Sequence, residues 1–196
     1  MTKKTKVILI GFPQATVVRD ISNAVESSGH TVEVLEPDVF LESRPDNNEY
    51  MVCITRDLVL RQQIINKLDA ENYRRFTFIH KTAEVFKDSN IGSGSFIAPF
   101  ALIGSNVTVE NDCIIGPYCM ISHDSILGQG SIMHPGSMIA GSVSVGKYCK
   151  FNIRSTIIDY LSVCDLCEIG AGSMLTKNVT EPGVYVGSPA RRKQII

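Results

Sequence analysis

The chain has 196 residues, 44% of them apolar, and 19 Lys+Arg against 20 Asp+Glu leave a formal net charge of −1. That length suits one large domain or two small ones, and the balance of charge excludes a global basic field that would draw the chain to nucleic acid or to an anionic membrane surface. No run approaches the roughly 18 apolar residues of a membrane span. The basic start with its short apolar run "VILIGF" lacks the length and cleavage site of a secretory signal. The expectation is therefore a cytoplasmic protein whose partners are small molecules or copies of itself.

In chain order, residues 5–79 alternate apolar strands with helical patterns. "KVILIGF" reads as a strand and "QATVVRDISNAVESSG" as a helix, with Val17, Val18, Ile21, Ala24 and Val25 at helical spacing and Ser27-Ser28-Gly29 as its stop. "TVEVLE" and "YMVCIT" follow as strands, "RDLVLRQQIINKLDAEN" as a helix and "RFTFIH" as a strand. The alternation predicts a small α/β domain over 1–80, a βαβ unit on a parallel sheet. Ligands of such sheets bind beyond the carboxyl ends of the strands, which makes Gly11, Phe12, Pro13, Gln14, Thr55 and Arg56 candidate binding positions. No GxGxxG is present, so a dinucleotide is not indicated. A domain that merely caps the next one is the alternative.

From Val85 the period becomes six. Val85, Ile91, Ile97 and every sixth residue to Leu175 is apolar, and the residue four places later, from Ser89 to Val179, is mostly small. Sixteen such hexads predict an all-β parallel β-helix over 81–196, three hexads to a coil of eighteen residues and about five coils. The aliphatic and the small residue both point inward. Cys113, Cys119, Cys149 and Cys167 occupy the small position, where a thiol packs as a compact hydrophobe. The phase sends Cys167 inside and Cys164 outside, and a single CxxC is half a zinc site, so no metal is expected.

The stretch "IIGPYCMISHDSILGQGSIMHPGSMIAG", residues 114–141, carries two of the four histidines. His123 and Asp124 are third and fourth in the hexad begun by Ile121, which puts both on a turn. His134 follows Met133 on an outward strand position. Residues eighteen apart stack, so His123 belongs to a column of Ser105, His123, Gly141, Asp159 and Lys177. An imidazole, an adjoining acid and a glycine amide one coil on make a base, an orienter and an oxyanion donor. On composition alone, an exposed turn histidine without chemistry is the competing reading.

Residues 75–193 resemble the hexapeptide-repeat acyltransferases with a left-handed β-helix. The whole chain resembles their nucleotide-sugar N-acetyltransferase branch, typified by the bacillosamine N-acetyltransferases. The resemblance is carried by the βαβ domain, "FIHKTAEV", "SHDS", "GAGSMLTKNV" and "GVYVGSPARR", in that order. It implies a homotrimer with acetyl-CoA in the groove between neighbouring helices, and an amino-sugar nucleotide held partly by the N-terminal domain at Gly11–Gln14 and Thr55–Arg56. Matched by position, His123 is the base, Asp124 its acidic neighbour and Gly141 the amide facing the acetyl carbonyl. Gly187, Pro189, Ala190 and Arg191 match the loop over the far end of CoA, and Lys177 and His134 are further CoA candidates. The family's histidine takes a proton as the sugar amine attacks the thioester, with no acyl-enzyme. Two positions depart from the pattern: the first loop reads "GFPQAT" instead of glycine-rich, and Ile132 stands where relatives carry a second histidine. The expected activity is acetylation of a nucleotide-linked amino sugar for bacterial glycan synthesis. Acetylation of a carbohydrate hydroxyl and a silent trimeric scaffold are the alternatives.

Overall fold

A computed structural model describes residues 5–193, and the chain divides into two compact units, Met1–Phe78 and Ile79–Ile196. The division falls just before the expected one at residue 80. Phe78–Ile79 already forms a strand beside Phe96–Ile97, and Ile79 takes the first place of a hexad ahead of Val85.

The first unit follows the alternation read from the sequence. Its elements are β1 (Lys6–Ile10), α1 (Thr16–Ser27), β2 (Thr31–Leu35), α2 (Pro37–Glu42), β3 (Glu49–Val52) and α3 (Leu58–Ala70). The sheet is fully parallel in the order β2-β1-β3. α1 buries Val18, Ile21 and Val25, the helically spaced stripe. α3 starts at Asp57, whose carboxylate accepts the Leu60 amide at 2.9 Å, an N-cap that the sequence places directly before the apolar run. Two features differ from expectation. α2 is six residues long, too short for a period to declare itself; proline in its first turn and buried Phe40 define it. "RFTFIH" adds no full strand to this sheet. Only Arg75 bridges Tyr50, flanked by the bonds Tyr50 N–H to Arg74 O and Phe76 N–H to Tyr50 O, both 2.9 Å.

The second unit is a parallel β-solenoid of the left-handed β-helix class. Strand partners are eighteen residues apart on each face: Ile114 with Ile132, Met120 with Met138, Ile126 with Ser144. The three faces are eight, six and five strands deep. Two faces exceed the five coils expected: one carries a sixth hexad strand, from Glu84–Val85 to Met174–Leu175, and the other is extended by Phe78–Ile79 at one end and by the strands Gly183–Gly187 and Ala190–Arg192 at the other. Inside, the aliphatic column from Ile97 to Leu175 is buried throughout. Each such side chain contributes about 1.5–3 kcal/mol, and because every coil touches only its neighbours the terms sum along the axis.

Most inward serines are satisfied by the backbone they face; the buried Ser155 hydroxyl, which has no partner among the described residues, is the exception. Ser125 Oγ donates to Ala140 O at 2.9 Å and accepts the Val143 amide at 3.1 Å; Ser131 repeats this with Gly146 O and the Cys149 amide. A hydroxyl is therefore as good as a thiol at the small position. The fourth residue of the hexads turns the corner in the left-handed region, as at Asn106 (φ 55°), Asp124 (φ 56°) and Tyr160 (φ 59°). Asn and Asp tolerate that conformation best among residues with a Cβ.

Cys113, Cys119, Cys149 and Cys167 are buried in the solenoid as expected. Cys164 is not outside. It packs half-buried against the core, with Sγ 3.6 Å from Cys167 Sγ. It sits at the second place of its hexad, and the residues at that place in the preceding coils, His134, Ala140, Gly146 and Asn152, are half-buried too. The Sγ–Sγ spacing is van der Waals contact, well beyond the ~2.05 Å of a disulfide. Burial pushes the Cys164 thiol up to about 11 and Cys53 up to about 12, and Cys167 is raised first by its hydrogen bond with Cys149 and then by burial. Thiols so disfavoured as thiolates are poor nucleophiles and poor metal ligands. Thiol titration of the unfolded, unreduced protein should return all six cysteines, with no zinc by elemental analysis. A Cys164–Cys167 bridge or stoichiometric metal would contradict this.

Candidate active site at a corner of the solenoid

His123 and Asp124 occupy the corner after the strand Met120–Ile121, held by the bonds Asp124 N–H to Ser105 O (3.0 Å) and Ser142 N–H to His123 O (2.8 Å). These ladder bonds fix the turn, and both side chains project from it about half exposed. His123 Nδ1 lies 2.9 Å from Asp124 Oδ2, and Asp124 Oδ1 accepts Asn106 Nδ2 at 2.8 Å from the coil below. The Asn106 bond, and after it the His123 contact, hold the Asp124 carboxyl below the usual carboxylate range. A lowered folded-state value means that the interaction persists above the ordinary carboxylate pKa and is lost only as pH falls through the lowered one. The ionised Asp124 carboxylate is an acceptor, so in the neutral imidazole Nδ1 carries the proton and Nε2 presents its lone pair.

Nε2 points over Gly141. A Cβ built on Gly141 would lie 2.5 Å from Nε2 and from Cε1, so the imidazole occupies the space that any larger residue would need. The Gly141 amide, expected as an oxyanion donor, is engaged in this structure: it donates to Asp159 Oδ1 at 2.8 Å. The cause is general to the solenoid. Third-place amides point along the axis, and an Asn or Asp one coil on accepts them, as Asn111 does for Ser93 (2.9 Å) and Asp165 for Lys147 (2.8 Å). An acyl oxygen reaching Gly141 must displace that carboxylate.

The remaining candidates separate into three places. His134 is not on a strand; it is the half-buried residue that follows Ile132–Met133, at a different corner from His123. One chain does not bring the two histidines together. Ile132 is fully buried. Lys177 is exposed in the His123 column, two coils beyond Gly141. Gly187, Pro189 and Arg191 are exposed on the closing hairpin, which pairs Gly187 with Ala190 and is anchored by the Gly187 amide on Ser173 Oγ at 2.9 Å. Ala190 is the exception. At 7% exposure it joins the solenoid core and offers packing instead of a contact surface.

In the first unit, the Cys53 amide donates to Ile10 O at 2.8 Å, so the loops after β1 and β3 emerge side by side at the carboxyl edge of the sheet. Gly11 is required there, because a Cβ would stand 2.8 Å from Val18 Cγ2. Phe12, Pro13, Gln14 and Arg56 are exposed around it, while Thr55 is buried. Behind the β3 loop, fully buried Arg61 donates from Nη1 to Val52 O (2.9 Å) and Ile54 O (3.0 Å), holding the loop by its carbonyls. Asn106 and Arg61 were not singled out by the sequence. Asn106 had a signal, lying eighteen residues before Asp124; Arg61 had none.

The family model of the bacterial transferase hexapeptide (six repeats) matches residues 88–123 and 106–141, which include His123 and Gly141. A UDP-3-O-acylglucosamine N-acyltransferase of Herminiimonas arsenicoxydans is 29% identical over 100 residues, 51% of this chain and 28% of that protein. A probable UDP-3-O-acylglucosamine N-acyltransferase 2, mitochondrial, of Arabidopsis thaliana is 34% identical over 93 residues, 45% of this chain and 31% of that protein. The match thus spans less than a third of either relative. Among solved structures, PerB from Caulobacter crescentus, in complex with CoA and GDP-perosamine, superposes with a TM-score of 0.84 at 21% identity, covering 96% of this chain and 97% of that one. The acetyltransferase domain of PglB from Neisseria gonorrhoeae gives 0.82 at 19% identity, covering 97% and 100%. These likenesses establish the two-part fold along the whole chain. Among the described residues no helix is long and apolar enough to cross a membrane, and no group of three or more His, Cys, Asp or Glu could hold a metal ion.

Proposed function

We propose that this chain is a sugar N-acetyltransferase that moves an acetyl group from acetyl-CoA to the amine of a nucleotide-linked amino sugar in bacterial glycan synthesis. The observation that carries the reading is the relay Asn106–Asp124–His123, which aims Nε2 over Gly141. As the new C–N bond forms at the acetyl carbonyl, Nε2 takes one proton from the amine. It then gives that proton to sulfur as the C–S bond breaks, so no acyl-enzyme is required. Asp124 steadies the imidazolium meanwhile. A neighbour that binds CoA and GDP-perosamine in the same two-part fold supports the donor and acceptor classes. Acetylation of a hydroxyl would use the same base, and incubation with acetyl-CoA and paired amino and hydroxyl nucleotide sugars decides between them. Mass spectrometry should find one acetyl group added to an amine; label only on hydroxyls, or none, would overturn the reading.

The assembly belongs to the same proposal. His123 and His134 stand at different corners of one helix, and a cytoplasmic homotrimer would set the His123 corner of one copy against a face of the next, forming the CoA groove. Lys177, Gly187, Pro189 and Arg191 would meet the distal part of CoA. The first unit would hold the nucleotide at Gly11–Gln14 and Thr55–Arg56, the edge where parallel sheets take ligands. A chain shortened to begin at Phe76 retains every coil, so it should fold and trimerise. Calorimetric titration of it should show CoA binding kept and nucleotide-sugar binding lost. Undiminished nucleotide-sugar binding would move the acceptor site wholly into the solenoid, and an aggregated product would mean that the first unit serves as a cap.

A further inference from the structure

The corner that carries His123 holds a second carboxylate, one coil beyond the glycine that the imidazole covers. Asp159 stacks one coil above Gly141 and accepts that residue's amide through Oδ1 at 2.8 Å. The equivalent cap is made by neutral Asn111 at Ser93 and by charged Asp165 at Lys147, so holding a third-place amide does not need a negative charge. Asp159 is nevertheless ionisable and exposed. Among the described residues its one polar contact is the Gly141 amide, and no lysine or arginine neutralises it. The imidazole of His123 lies against the same glycine from the coil below. A base and an uncompensated anion thus face one small volume from opposite sides of Gly141.

We infer that Asp159 recognises the acceptor as an ammonium and so restricts this site to amines. The inference rests on the acetyl-transfer reading above and deepens it by naming a residue that selects the acceptor. Two ligands share out the groups at the corner. The acyl oxygen takes the Gly141 amide, which Asp159 now holds. The carboxylate so released pairs with the ammonium of the incoming sugar; that ammonium sheds one proton to solvent before attack, and His123 then takes the second from the amine and passes it to sulfur. A hydroxyl at the same position brings no charge for the carboxylate and so forgoes the charge-assisted hydrogen bond that an ammonium makes.

Asp159→Asn tests this cleanly, because an asparagine side chain keeps the cap, as Asn111 does, and removes only the charge. Nucleotide-linked 4-amino sugars of UDP, GDP and dTDP, each with its 4-hydroxyl counterpart, are titrated calorimetrically against full-length wild type and variant in the presence of S-acetonyl-CoA, which keeps the acyl oxygen but cannot transfer its acyl group. Wild type should prefer one amine over its hydroxyl counterpart. The variant should bind that amine about 10- to 100-fold more weakly, the range of one charge-assisted hydrogen bond, with the hydroxyl sugar and CoA unchanged. Equal weakening of both sugars would assign Asp159 to structure alone, and no weakening of either would remove it from the site. If wild type acetylates amines but the variant's preference is intact, only this inference falls. If wild type binds no nucleotide sugar at all, the acetyl-transfer reading falls and this inference with it.

Discussion

His123→Ala should slow acetyl transfer by about 10²- to 10⁴-fold, the range of a positioned general base, while leaving the fold intact. The second half of that expectation comes from where the residue sits. His123 is on a turn, its side chain is about half exposed, and the aliphatic column that stabilises the coil is the neighbouring Ile121. Asp124 keeps its bond to Asn106 without the imidazole, so no buried charge is stranded. Thermal unfolding and size-exclusion chromatography should therefore match wild type, and kcat should carry the loss while acetyl-CoA affinity changes little. A variant with full turnover would return His123 to the status of a polar turn residue.

What the sequence made readable divides by the range of the interaction. The solenoid could be traced residue by residue because its period is local. An aliphatic side chain every six places fixes which way each residue points, and residues eighteen apart must stack. That is why the His123–Gly141–Asp159 column was readable before any coordinates. Where a position is only half-buried, or lies beyond the repeat, the reading failed. Cys164 sits at the second hexad place, which is half-buried and not fully outward, and Ala190, beyond the last hexad, could be placed only as part of a motif and not as core. In the first unit the strands and long helices followed from alternation. The six-residue helix α2 and the buried guanidinium of Arg61 did not, since one is shorter than its own period and the other is satisfied by carbonyls whose positions no pattern records. The occupied state of the Gly141 amide lay beyond reach for a related reason. Stacking says that Asp159 is adjacent, but not that its oxygen closes on that N–H.

Gly141→Ala is the sharpest test of the corner geometry, because it is expected to move activity and stability in opposite directions. Gly141 is not in the left-handed region, so alanine suits its backbone. At such a site the substitution should leave the melting temperature unchanged or raise it, since alanine lowers the entropy of the unfolded chain by an amount equivalent to about 0.4–1 kcal/mol. The added methyl group has one neighbour to contend with, the His123 ring, whose Nε2 and Cε1 would stand 2.5 Å away. Real carbon atoms do not approach so closely. The exposed imidazole must therefore rotate out toward water, since it yields more easily than the backbone ladder. Displacing the base by an ångström or more costs about 10²-fold in rate. The double variant His123→Ala, Gly141→Ala should then be no slower than His123→Ala alone, because both changes remove the same group from the same place. Additive losses would mean that Gly141 acts through something other than the imidazole, and undiminished turnover in the single variant would mean that the ring does not work from the position it holds here.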